Sequence, residues 1–148
     1  MKLTRRKLLS ASASTAAAAF LGTERTYATV DEVTQAIEEF TEGVEPVENL
    51  LNFKIPRIAE NGSSVPITVS VDSSMTQGDY VDSLMIVAPA NPNPVVLTFR
   101  FSELSGEARA ATRMRLAETQ AVTAFAKLNS GRVYKVTHDV EVTIGGCH

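Results

Sequence analysis

The chain has 148 residues, of which 44% are hydrophobic and 21% charged, with a formal net charge of −3. This length fits one globular domain. A mean hydropathy close to zero excludes a protein with several membrane spans, and the hydrophobic content argues against general disorder. A single cysteine excludes an intrachain disulfide framework and any Cys-rich zinc or iron–sulfur site.

The first 28 residues have the layout of an export signal. Four basic side chains precede a small, weakly apolar run from Ser10 to Leu21, which is too short and too rich in Ala and Ser to anchor in a bilayer. Arg5-Arg6, followed by Lys7, resembles the twin-arginine signal that exports folded proteins. We therefore predict cleavage after Ala28 and a periplasmic location. An amphipathic N-terminal helix is the alternative.

The charge balance changes if the signal is removed. Of the 14 basic and 17 acidic residues, five basic and one acidic lie in residues 1–28, which leaves a net charge of −7 beyond them. An acidic domain lacks the electrostatic attraction needed to bind nucleic acid or an anionic membrane. Neither partner is expected.

The first predicted element after the signal is one helix of about a dozen residues. Thr29 can cap it, and Glu32 can complete a capping box. Gly43 suits a left-handed stop, and Pro46 follows. An apolar stripe of helical period comprises Val30, Val33, Ile37, Phe40 and Val44.

Downstream of the helix the period of the apolar residues changes to two, which is typical of strands. Strands are predicted at Val65–Val71, Leu84–Ala88, Val95–Phe101, Ala108–Leu116, Gln120–Leu128 and Val133–Ile144. Turn signals separate them, including the three-proline loop of residues 89–94. This pattern predicts an antiparallel β-sandwich over residues 29–144 and a C-terminal tail over residues 145–148.

Few side chains point to chemistry. No Ser/His/Asp pattern or phosphate-binding glycine loop is present. His138 lies in register with the apolar face of the last strand, where a core or rim histidine is the usual role. Arg109, Arg113 and Arg115 share one strand face, which is either a polar outer surface or a docking surface for an acidic partner.

The C-terminal end is unusual. Gly145 and Gly146 follow the last strand and precede Cys147, so the thiol lies on a segment predicted to be a flexible hinge. A thiolate is nucleophilic and forms reversible bonds to sulfur, so this thiol could enter a pocket on another protein. An intermolecular disulfide, an altered end and an inert cysteine remain alternatives. Metal delivery through Cys147 and His148 is weakly supported, because two ligands leave most of a tetrahedral shell empty.

Several motifs resemble the SoxY family, in order along almost all of the chain after the signal. Gly-Gly-Cys at residues 145–147 is the specific element. The others are Pro56-Arg57-Ile58-Ala59-Glu60-Asn61-Gly62, Val65-Pro66-Ile67-Thr68-Val69, Ala90-Asn91-Pro92-Asn93-Pro94, Thr112-Arg113-Met114-Arg115-Leu116-Ala117 and Val142-Thr143-Ile144. The family tail has two further glycines after the cysteine, whereas His148 alone follows it here.

The resemblance implies an immunoglobulin-like sandwich that pairs with a SoxZ-like β-sandwich subunit. It implies that Cys147 is a covalent sulfur carrier in periplasmic thiosulfate oxidation, with Gly145 and Gly146 as the hinge. A haem c enzyme would load the thiol, a hydrolase would release sulfate, and in some systems a further enzyme would oxidise the remaining sulfur. The chain itself would be no enzyme and would need no cofactor or metal. The alternative is an interaction module whose Cys147 only forms an intermolecular disulfide.

Overall fold

The computed structural model describes residues 27–48 and 50–146. Nearly all of the predicted export signal, together with Cys147 and His148, lies outside the described residues. Within the described part of the chain, no helix has both the length and the apolar character needed to cross a membrane.

The helix α1 spans Val30–Thr41, and its start has the predicted capping box. The Thr29 hydroxyl accepts a hydrogen bond from the Glu32 amide at 3.2 Å, and the Glu32 carboxylate accepts one from the Thr29 amide at 2.7 Å. Glu42 already has a left-handed φ of 53°, so the helix ends one residue before the predicted stop at Gly43, which is itself left-handed. Val30 belongs to the predicted apolar stripe but is 81% exposed.

The described residues form nine strands in two sheets. Strands β1 (Val47–Glu48), β3 (Ile58–Asn61), β5 (Val81–Val87), β6 (Val95–Arg100), β8 (Gln120–Leu128) and β9 (Val133–Ile144) make the first, in the order β1-β9-β8-β5-β6, with β3 also on β9. The second sheet has the order β2 (Leu51–Lys54), β4 (Val65–Val71) and β7 (Ala108–Met114). A short 3-10 helix, Glu103–Ser105, precedes β7. The predicted β-sandwich is confirmed.

The main core lies between the two sheets. Alternate residues of β4, such as Ile67 and Val69, face it and are almost completely buried. A second apolar cluster lies on the opposite face of the first sheet, where α1 packs Val33, Ile37 and Phe40 against residues that include Met85 and Phe125. Both faces of the first sheet are therefore buried at its centre, which explains the near-continuous apolar sequence of β5.

The predicted strands differ from the structure in number, bounds, direction and burial. Strands β1, β2 and β3 were not predicted, and β5 starts at Val81 rather than at Leu84. Most neighbouring strands pair antiparallel, as predicted, but β1 and β3 pair parallel with β9. Alternation along β9 puts Ile144 on the same face as the buried Val140, but Ile144 is 62% exposed.

Candidate functional site

The predicted site residues lie in two places. Gly145 and Gly146 directly follow β9 and are half-buried, while Cys147 lies outside the described residues. Arg109 and Arg113 lie on β7 and Arg115 just beyond it, all three exposed. His138 is exposed, and its ring centroid lies 5.8 Å from that of Phe53 on the wall of a groove of about 750 Å³. It is a rim residue.

Backbone hydrogen bonds join the segments around Gly62 and Leu116 to the end of β9 and to Gly146. The Gly62 amide donates to the carbonyl oxygen of Ile144 at 2.7 Å, and the Leu116 amide donates to that of Gly62 at 2.8 Å. The Gly146 amide in turn donates to the carbonyl oxygen of Leu116 at 2.9 Å. We refer to Gly62, Leu116, Ala117, Gly145 and Gly146 as the glycine clamp. It fixes the end of the described chain through main-chain atoms alone.

Close backbone approach requires glycine at three positions of the clamp. A Cβ on Gly146 would collide with the carbonyl group of Gly62 and with the Ser63 nitrogen. A Cβ on Gly145 would collide with the carbonyl oxygen of Ala117, and one on Gly62 with that of Leu116. The glycines of the tail thus have a packing role in addition to the conformational freedom expected from the sequence.

Asn91 holds the Leu116 segment of the glycine clamp in place. This side chain is 5% exposed and lies in the proline-rich loop. Its amide nitrogen donates to the Arg115 carbonyl at 2.8 Å, and its amide oxygen accepts from the Ala117 backbone at 2.9 Å and from the Gln120 side chain at 3.1 Å. Because these bonds flank Leu116, they fix the carbonyl that receives the Gly146 amide.

Four distant motifs of the sequence therefore meet at one place. The segments ending at Gly62, around Asn91, around Leu116 and at Gly146 contribute to a single network of backbone and amide hydrogen bonds. Sequence reasoning assigned Asn91 only to a rigid loop and missed the partner role of Gly62, since both contacts join residues far apart in the chain. No local signal distinguishes the buried Asn91 from the exposed Asn93 of the same loop.

Within residues 27–48 and 50–146, no three His, Cys, Asp or Glu side chains gather in a way that could hold a metal ion. The chemistry expected at this end of the molecule rests on the Cys147 thiol, which the sequence places directly after Gly146.

Comparison with solved structures shows the structural class of the fold. The structure resembles a superoxide reductase (neelaredoxin) from Ignicoccus hospitalis with a TM-score of 0.57 and 11% identity, over 64% of this chain and 80% of that chain. A superoxide reductase from Nanoarchaeum equitans gives a TM-score of 0.55 at 11% identity, over 66% of this chain and 100% of that one. At this identity the likeness shows the immunoglobulin-type sandwich alone.

The family follows from the sequence. The family model of the sulfur oxidation protein SoxY matches residues 37–147, and the chain belongs to this family. A solved structure of the sulfur carrier protein SoxY from Chlorobium limicola f thiosulfatophilum is 28% identical, with a TM-score of 0.61, over 78% of this chain and 100% of that chain. The comparison with curated protein sequences found no significant match.

Proposed function

We propose that the chain is a sulfur carrier of periplasmic thiosulfate oxidation and that the thiol of Cys147 covalently holds the intermediates. Membership of the SoxY family supports the general role, and the family match extends to Cys147 itself. The observation that carries the proposal is the glycine clamp, because a structured device built from four motifs holds the residue directly before that thiol.

The chemistry on the thiol balances in four steps. In the first, the Cys147 thiol and the outer sulfur of thiosulfate form an S–S bond, and one proton and two electrons leave, the electrons to a haem c enzyme. Water then cleaves the bond between that sulfur and the sulfonate, which releases sulfate and a proton and leaves a persulfide. Oxidation of the outer sulfur with three water molecules yields a sulfonate and releases seven protons, with six electrons passing to a partner. A last hydrolysis releases sulfate and a proton and restores the thiol.

In this proposal the tail alternates between a docked and a released state. The Gly146 amide is held by its hydrogen bond to Leu116, and a single such bond contributes only about 0.5–1.5 kcal/mol net. Release at Gly145 and Gly146 therefore requires little free energy, and these two residues would act as the hinge. The docked state positions Cys147 at a fixed end of the sandwich, and the released state extends its reach towards a partner.

The remaining proposals follow from the family. A SoxZ-like β-sandwich subunit forms a heterodimer with this chain, and the haem c enzyme, the sulfate-releasing hydrolase and, where present, the sulfur-oxidising enzyme act on Cys147. Residues 1–28 direct export of the folded protein by the twin-arginine route, residues 29–144 form the sandwich domain, and residues 145–148 form the tail. The chain supplies the substrate-bearing thiol, and its partners catalyse the reactions.

Intact-mass measurement tests the carrier role. The chain, with its SoxZ-like subunit, is incubated with thiosulfate and the haem c enzyme. We expect a mass increase equal to a thiosulfate adduct, located on Cys147 by peptide mapping and absent from Cys147→Ser. The exposed Thr143→Ser provides a matched control that loads normally. An unmodified wild-type mass, or equal loading of Cys147→Ser, would contradict the proposal. A disulfide-linked dimer as the only product would favour the interaction module.

A further inference from the structure

The outer face of the second sheet carries basic side chains, although the chain as a whole is acidic. Its strands β2, β4 and β7, of 4, 7 and 7 residues, contain no Asp or Glu. The side chains that point away from the core are Asn52, Lys54, Pro66, Thr68, Ser70, Arg109, Ala111 and Arg113, which we call the basic face. Asp72 and Glu107 lie beyond the strand ends. The basic face therefore has positive charge without an internal counter-charge.

These cations have no acidic partner. Within residues 27–48 and 50–146, one ion pair is found, between Lys127 and Glu42. It lies on the other side of the first sheet from the basic face. Lys54 stands opposite Thr68, Arg109 opposite Ser70 and Arg113 opposite Pro66. Unpaired cations around a centre of small, uncharged side chains form a flat surface with a positive potential. Such a surface attracts a carboxylate-rich partner and increases the rate of encounter.

The composition of the basic face favours a transient partner over a permanent subunit. Stable subunit interfaces are large and apolar at their centre, whereas this face exposes Pro66 and Ala111 as its apolar side chains between the strand ends. The outer face of the first sheet is already covered by α1. Of the two outer sheet faces, only the basic face is open at its centre.

The basic face ends beside the glycine clamp. The Arg113 guanidinium donates hydrogen bonds to the Ser64 hydroxyl and carbonyl oxygen at 3.1 and 3.3 Å, two residues from Gly62. Arg115, also exposed, directly precedes Leu116, whose carbonyl accepts the Gly146 amide. A protein bound to the basic face would therefore lie next to the point from which Cys147 extends.

We propose that the basic face is the docking surface for the acidic surface of the enzyme that loads Cys147, and that electrostatic attraction brings that enzyme next to the tail. This inference rests on the proposed carrier function. The SoxZ-like subunit is the competing occupant of this face, and the test below separates the two. Binding depends on Lys54, Arg109, Arg113 and Arg115 and weakens as salt screens their charges.

Charge reversal of two residues remote from the clamp tests the proposal. The variant is Lys54→Glu with Arg109→Glu, and the control is Arg100→Glu with Arg132→Glu, which changes the net charge equally on exposed side chains outside the basic face. Both are made in the Cys147→Ser chain, complexed with its SoxZ-like subunit, and binding to the haem c enzyme is measured by calorimetry at low and high ionic strength. We expect the Kd of the basic-face variant at low salt to rise about tenfold or more, with little remaining salt dependence. The control should change less than about twofold.

Loading kinetics give the second measurement. With Cys147 present, the basic-face variant should raise KM with kcat unchanged, because the chemical step does not involve these residues. An unchanged Kd and KM, or loss of the heterodimer instead of loss of enzyme binding, would overturn the proposal. If the double variant is unstable, Lys54→Gln and Arg109→Gln are measured singly. Binding is measured on the Cys147→Ser chain and therefore tests docking alone. Failure of the proposed carrier function would instead appear as absence of loading at Cys147.

Discussion

Replacement of Gly62 by alanine tests the glycine clamp at its centre. Gly62 is buried; its amide donates a hydrogen bond to the Ile144 carbonyl, and its carbonyl accepts one from the Leu116 amide. An added Cβ would collide with the Leu116 carbonyl oxygen and would lie 2.9 Å from both the Gly146 nitrogen and Cγ1 of Val142. The three segments can accept the methyl group only by moving apart, and this movement breaks the bonds that join them.

The magnitude follows from those bonds. Loss of two to three backbone hydrogen bonds at about 1 kcal/mol each lowers the free energy of unfolding by about 2–3 kcal/mol. For a domain of this size that corresponds to a fall in Tm of about 10 °C. Gly78→Ala is the matched control, since nothing lies within 4 Å of a Cβ at Gly78 and its φ is not left-handed. We expect that variant to be neutral or more stable by up to about 1 kcal/mol.

The assay is thermal unfolding followed by circular dichroism, combined with amide hydrogen exchange read out by NMR. In Gly62→Ala the Gly146 amide should lose its protection, and in Gly78→Ala it should keep it. A Tm for Gly62→Ala within about 2 °C of wild type, with the Gly146 amide still protected, would refute the argument from close approach.

Two further variants test the support of the clamp and the packing of the helix. Asn91→Ala leaves the Arg115 carbonyl and the Ala117 amide without partners and should cost about 3 kcal/mol in chemical denaturation, whereas exposed Asn93→Ala should stay within about 0.5 kcal/mol of wild type. Phe40→Ala removes a ring whose centroid lies 6.3 Å from that of Phe125 and should lower the free energy of unfolding by about 2 kcal/mol. Val30→Ala, at an 81% exposed position, should have no such effect. Equal losses of stability within either pair of variants would contradict the argument from burial.

The long elements of the fold could be predicted from sequence because their patterns are local. Strands β8 and β9 have the predicted bounds, and the capping box of α1 is confirmed. Strands β1 and β3 could not be predicted, because two to four residues are too few to show a period and their pairing partner, β9, lies far away in the chain. Their existence depends on the tertiary structure.

The candidate site was predictable in composition and not in geometry. The spacing Gly145-Gly146-Cys147 indicates a mobile thiol, and the structure adds that Gly146 is bonded to Leu116 and packs closely against Gly62. No local pattern reveals that contact, because a glycine needed for close approach looks the same in sequence as a glycine needed for flexibility. The face of the three arginines followed from alternation, but the absence of acidic residues on neighbouring strands required the sheet order.

The parallel pairings of β9 have a consequence for biosynthesis. Val47 pairs with Tyr134 and Ile58 with Glu141, so strands from the beginning and the end of the sandwich lie side by side in one sheet. Contacts of such long sequence separation slow folding and cannot form while the ribosome still holds the last strand. A prematurely terminated polypeptide would leave two edge strands unpaired and exposed to proteases. Folding of the sandwich therefore depends on synthesis of β9, the strand that directly precedes Gly145 and Gly146.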